Sequence, residues 1–330
     1  MSAPAELTVP DLYCPFPSAI HADAQSLEAG TLAWMQRYGY ITTAEEERSA
    51  HDSQFGTLAA RTYPAGRSEV IQLASDLMTW LFLTDDANIE EPGHTDTLPV
   101  TASHILHSVR ILHDPDDLPP APTHHHRALQ DISNRVRALA TEEQRDRLIG
   151  GMVEYFMAGA CEAIYLCRKI TPPVDDYIAL RDSSIATRSV CFLFSEIAGN
   201  YQLPGPLWCH PGLQSAVRLA TRIISNHHDI LSGLREQSRE VPMNLPWALS
   251  QERELSTVDA IAQTAAFANA DTRRFVQLAD ILHAGHPSRA VELYIAGLKA
   301  WIRGNLDWSL TTGRFHVSDY VVKGDVNVRL

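Results

Sequence analysis

The chain has 330 residues, 45% hydrophobic and 20% charged, an ordinary globular composition. Its net charge of −13 argues against nucleic acid or an anionic membrane surface as a partner. No stretch approaches the roughly 18 uncharged apolar residues that cross a bilayer, and the proline-rich, partly acidic opening MSAPAELTVPDLYCPFP lacks the basic start of a secretory signal, so a cytoplasmic protein is expected. An anionic small-molecule substrate stays open, provided that metals or a few arginines meet its charge. Five cysteines (Cys14, Cys161, Cys167, Cys191 and Cys209) form no CxxC pair and read as reduced thiols.

Residues 1–30 are weakly periodic and read as an extended capping arm. From Ser68, the spacing of Val70, Ile71, Leu73, Ala74, Leu77, Met78 and Leu81 predicts a helix running into Asp85 and Asp86. Further helices are predicted around 101–113, 126–141, 143–168, 176–198, 212–238, 257–283 and 287–310. Proline- and glycine-rich breaks separate them, such as EPGH at 91–94 and LPGP at 203–206. The run His124, His125, His126 beside the proline loop reads as a surface patch. No alternating apolar run suggests a sheet, so the expectation is one all-α domain spanning 1–330.

Two polar groupings stand out against this apolar pattern. Asp85, Asp86, Glu90 and Glu91 crowd the end of the apolar helix, with Asp86 and Glu90 on one face. Carboxylates so placed repel one another unless hard divalent cations lie between them; the plain alternative is a solvated helix end. Farther on, His228, Ser232 and Glu236 stand at i, i+4 and i+8, one stripe of a helix, with Arg235 beside the last. Hydroxyl, carboxylate and guanidinium together can hold a metal and phosphate oxygens. Asn226 is two residues too early to share the stripe. The dipeptide His228-Asp229 also suits an HD-type metal phosphohydrolase, which would need His124 and Asp259 or Asp271 to converge on it.

Taken in order along the chain, these segments resemble the bacterial class I terpene synthases. DDANIE (85–90) matches the family's first acidic motif, and HDILSGLRE (228–236) its second at Asp229, Ser232 and Glu236, with His228 in place of the leading Asn. CPFPSAI, TLAWMQRYGYI and GTLAARTYPAG are similar to the family's N-terminal half. YIALRDSSIATRSV resembles its diphosphate-sensing segment, and WIRGNLDWSLTTGRF its closing helix and Arg-Tyr pair, with Phe315 replacing the Tyr. The resemblance implies a single-domain helical bundle around a central apolar cavity, in which residues 316–330 close as a lid. It implies a linear isoprenoid diphosphate as substrate, C15 before C20, ionised and then cyclised. Three Mg2+ ions, with Mn2+ a substitute, would be held by Asp85, Asp86, Glu90, His228, Ser232 and Glu236. Arg181, Arg235 and Arg314 would bind diphosphate; Arg188 is the alternative sensor. Ser184 and Ile185 would relay diphosphate binding, and Phe55, Trp80, Phe82, Phe192, Trp301, Trp308 and Phe315 would line the pocket. A homodimer is the protein partnership it allows.

Overall fold

The computed structural model describes residues 5–7, 9–87, 98–236, 242–315, 320–322 and 328–329, overwhelmingly as helix. They form two compact units, one from residues 20–170 and 183–202, the other from residues 1–19, 171–182 and 203–330. Among the described residues no helix is long and apolar enough to cross a membrane, and all five cysteines are free thiols.

The first unit contains α1 (Ala24–Arg37), α2 (Ala44–Ser53), α3 (Phe55–Thr62), α4 (Ser68–Asp85), α5 (Leu98–His113), α6 (His124–Leu139) and α7 (Glu142–Arg168). All seven apolar residues that predicted α4 are buried, and so are Ser75, Asp76, Thr79 and Thr84 on its other sides. A helix buried all round must satisfy its polar groups internally. Ser75 bonds Thr31 at 2.7 Å, and Asp76 receives Arg135 at 2.6 Å and Gln72 at 2.9 Å. Helices α1, α3, α6 and α9 (Phe192–Ala198) pack around α4.

Two expectations change in this unit. The histidine run opens α6, which Thr123 caps, and only His124 lies exposed as expected: His125 and His126 are buried among Tyr40, Trp80 and His104. The stretch 176–198, continuous by spacing, is broken. Helix α8 (Val174–Ser184) stops, Ala186 takes a left-handed φ of 59°, and a π turn over Thr187–Cys191 leads into α9. The serines and threonine of DSSIAT compete for backbone hydrogen bonds, which weakens a helix there. The Tyr63 hydroxyl donates to the Cys191 carbonyl at 2.8 Å, and Gly151 of α7 lies against the Ser189 carbonyl.

The second unit holds the residues of α8 up to Asp182, then α10 (Gly205–Trp208), α11 (Pro211–Glu236), α12 (Leu245–Arg253), α13 (Thr257–Gly285) and α14 (Arg289–Thr311). Helix α11 buries Leu213, Ala216, Val217, Ala220, Ile223 and Ile224 and packs against α13 and α14. Four very short strands were not expected, being too short for alternation to show. β1 (Ala5–Leu7) pairs in parallel with β3 (Tyr320–Val322), and β2 (Leu12–Tyr13) with β4 (Val328–Arg329). The arm is held on α13 and α14, with the Tyr13 N–H donating to Asn269 Oδ1 and Arg303 donating to the Phe16 carbonyl. It is shorter than expected, because α1 begins at Ala24.

Candidate active site

Past Ser225, α11 buries polar side chains on most of its faces: Asn226, His227, Asp229, Ser232 and Glu236 are each no more than 9% exposed. Each must find a partner or cost stability. The stripe read from the sequence is brought together, with Ser232 and Glu236 hydrogen-bonded and His228 against them. His228 Nδ1 lies 3.2 Å from Ser232 Oγ, Ser232 Oγ donates to Glu236 Oε1 at 2.9 Å, and Asn244 Nδ2 donates to Glu236 Oε2 at 2.8 Å. Asn226 is off this line and borders a cavity of about 320 Å³ with Tyr177, Arg181, Asp182 and Arg222.

Arg181, near the end of α8, comes to the same place. Its Nε and Nη2 both donate to Asp229 Oδ1, at 3.2 and 2.9 Å, and Nη2 lies 3.1 Å from His228 Nδ1. A guanidinium only donates, so Nδ1 accepts and the imidazole proton sits on Nε2. Burial disfavours a charged imidazole, and Arg181 and Arg314 add to that effect, so the His228 pKa is lowered and the ring is neutral. Asp229 Oδ2 takes the Tyr177 hydroxyl at 2.6 Å and the Leu245 N–H at 3.0 Å. Burial alone would raise the Asp229 pKa; the Arg181 charge and the hydrogen bonds outweigh it and hold it low. With both oxygens committed to protein donors, Asp229 is an anchor for Arg181 rather than a metal ligand. That removes the HD-phosphohydrolase reading, as does Asp271 being paired with Arg274.

After α14 the chain turns through a single 3-10 turn, Gly313–Phe315. Phe315 meets His228 edge to face at 5.1 Å and Trp308 at 5.3 Å. The Arg314-Phe315 pair therefore stands on the stripe, and a ring edge touches the imidazole where a Tyr was expected. Trp301 is buried on α14.

In the other unit, Asp85 ends α4 and Asp86 follows it, both half-buried. The end of α4 is fixed by the Tyr155 hydroxyl donating to the Leu81 carbonyl at 3.4 Å and by Thr84 against His125. Phe55 and Phe82 stack at 5.1 Å. Trp80, expected in the pocket wall, is fully buried elsewhere: it stacks on His104 and donates its indole N–H to the His125 carbonyl. Two residues from Phe82, it lies on the opposite side of α4. Phe192 is buried at the start of α9, Ile185 is half-buried at the helix break, and beside it the Ser184 hydroxyl is buried with no hydrogen-bond partner among the described residues. Arg188 pairs with Glu154. Glu90 and the side chain of Arg235 lie outside the described residues, as does most of 316–330.

Ser232 and Glu236 in one unit, and Asp85 and Asp86 in the other, are oxygen donors of the kind a hard divalent cation takes, whereas His228 Nδ1 is already engaged by Arg181. Tyr177 and Asn244, which bond Asp229 and Glu236, were not singled out in the sequence, and Asp229 was noted only within the second motif and the His-Asp dipeptide.

Residues 76–274 match the family model described as terpene synthase family 2, C-terminal metal binding. The chain is 29% identical to a 4-epi-cubebol synthase of Streptosporangium roseum, over 94% of its own length and 92% of that protein. It is 31% identical to a (+)-T-muurolol synthase of Roseiflexus castenholzii, over 92% and 93%. Both names specify cyclisation of (2E,6E)-farnesyl diphosphate. Germacradien-4-ol synthase of Streptomyces citricolor superposes with a TM-score of 0.78 at 25% identity, over 91% and 97% of the two chains. The chain thus belongs to the class I terpene synthases, carbon–oxygen lyases with an all-α fold.

Proposed function

We propose that this enzyme ionises farnesyl diphosphate and steers the C15 cation to a cyclic hydrocarbon or alcohol. The observation that carries this is the convergence of Arg181, Arg314 and the His228–Ser232–Glu236 line on one face of α11. The two relatives that cyclise farnesyl diphosphate favour C15 over C20.

Ser232 and Glu236, and separately Asp85, Asp86 and Glu90, would hold Mg2+, three ions in all, with Mn2+ as a substitute. When bound, these ions supply positive charge to the leaving diphosphate. Arg181 and Arg314 offer fork-shaped donors to its oxygens, and Arg235 is a further candidate. For Arg181 to reach diphosphate it must leave His228, and only then is Nδ1 available as a ligand. The partnerless Ser184 hydroxyl at the helix break suits a group that reports this movement. Phe315 and Trp308, with Phe55 and Phe82, offer rings that stabilise a cation and exclude water; Trp80 is left out as a core residue.

Incubation with Mg2+ and C10, C15 or C20 diphosphate, followed by analysis of the volatile extract, tests the reading. A cyclic C15 product that disappears in EDTA and in Asp85→Ala is expected. Turnover of C20 alone would overturn the substrate assignment, and full activity in EDTA the metal assignment.

A further inference from the structure

We infer that Asn244 is a positioning residue for the Glu236 carboxylate; this rests on the reading of Glu236 as a metal ligand. Asn244 is 3% exposed and sits just before α12, whose N-terminus it caps. The cap uses one atom, Oδ1, which accepts the Trp247 N–H at 2.9 Å. Serine or glycine would serve there nearly as well. What a cap does not need is Nδ2, which donates to Glu236 Oε2 at 2.8 Å across the interval between α11 and α12.

That bond divides the work of the carboxylate. Ser232 donates to Oε1 and Asn244 to Oε2, so both oxygens are fixed in orientation, each with lone pairs left for a cation. A ligand held this way loses little freedom on binding metal, and supporting hydrogen bonds of this kind typically carry about 10–100-fold in metal affinity. The neighbouring backbone serves the diphosphate-binding side. The Leu245 N–H donates to Asp229, the partner of Arg181, and the Met243 carbonyl lies 3.2 Å from the Tyr177 hydroxyl that donates to Asp229. One short turn, Met243 to Leu245, thereby sets a metal carboxylate through a side chain and the Arg181 anchor through the backbone.

The test is Mn2+ binding, followed by the electron paramagnetic resonance signal of free Mn2+ with inorganic diphosphate present. The proteins compared are the wild type, Asn244→Ser, Asn244→Gly and Glu236→Gln. Melting temperatures show which variants fold, and the glycine variant covers failure of the serine one. Both Asn244 variants should melt near the wild type and bind the most affected Mn2+ roughly ten-fold or more weakly, as Glu236→Gln does. A residue that served only as a cap would leave Mn2+ affinity in place in both variants, because serine and glycine cap nearly as well. If a folded Asn244 variant binds Mn2+ like the wild type while Glu236→Gln does not, Asn244 does not position the ligand. If Glu236→Gln itself binds like the wild type, the metal assignment at Glu236 falls, and this inference with it.

Discussion

The partners of Arg181 shape what single residues do in this site. Asp229 is almost completely buried and its charge is matched by Arg181, so removing it leaves a guanidinium without its counter-charge. Asp229→Asn should cost roughly 3 kcal/mol in a urea titration. Arg181→Ala should slow turnover by roughly 100-fold, the scale of losing one charge-stabilising donor. Because Asp229 works through Arg181, the double variant should be no slower than Arg181→Ala; additive losses would show that Asp229 acts independently. His228 is the departure visible in the sequence. If imidazole becomes a ligand once Arg181 leaves, it suits manganese better than magnesium. Wild type should therefore gain more from exchanging Mg2+ for Mn2+ than His228→Asn, whose amide oxygen restores a hard ligand. Equal gains in both proteins would remove His228 from the metal set. The stripe was legible because i, i+4, i+8 spacing belongs to one helix. Asp229 and Asn244 were not, because their partners, Arg181 on α8 and Glu236 on α11, are met only in tertiary structure.

At the scale of elements, long helices with regular apolar spacing were read close to their true limits. Helix α4 starts at Ser68 as expected, and α7, α11, α13 and α14 differ by a few residues at their ends. The failure was the break in 176–198, which apolar spacing cannot reveal because it depends on what packs against it. Gly151 is the clearest such support. A Cβ at that position would stand 1.7 Å from the Ser189 carbonyl oxygen, a backbone atom in the π turn. Gly151→Ala should therefore destabilise by about 3 kcal/mol, despite the better helix propensity of alanine. The adjacent Gly150→Ala meets nothing within 4 Å and should stabilise slightly. Equal effects of the two substitutions in thermal melts would show that the turn yields to the added methyl.

The all-α class and the family were legible in the sequence, whereas the strand pairs at the chain ends were not, being two or three residues long. Nor was the burial of His125 and His126, because partners from the loop after α1, from α4 and from α5 bury them. That burial sets how the molecule responds to acid. His104 is lowered to about 4 and His125 to about 3, chiefly by burial and secondarily by neighbouring histidines. Both folded values lie below the ordinary 6.5, so as pH falls the unfolded chain takes up protons first. The stability these neutral rings allow is fully present above about pH 6.5 and drains away down to the folded values. Each ring contributes a slope of up to about 1.4 kcal/mol per pH unit, so a loss on the order of 3 kcal/mol between pH 6.5 and pH 5 is expected from the pair. Urea titrations at the two pH values measure it. His104→Phe keeps an aromatic ring against Trp80 and removes one titrating group, so it should reduce the acid-induced loss by about 1.5 kcal/mol. An unchanged loss in that variant would place the acid sensitivity of the enzyme outside this histidine cluster.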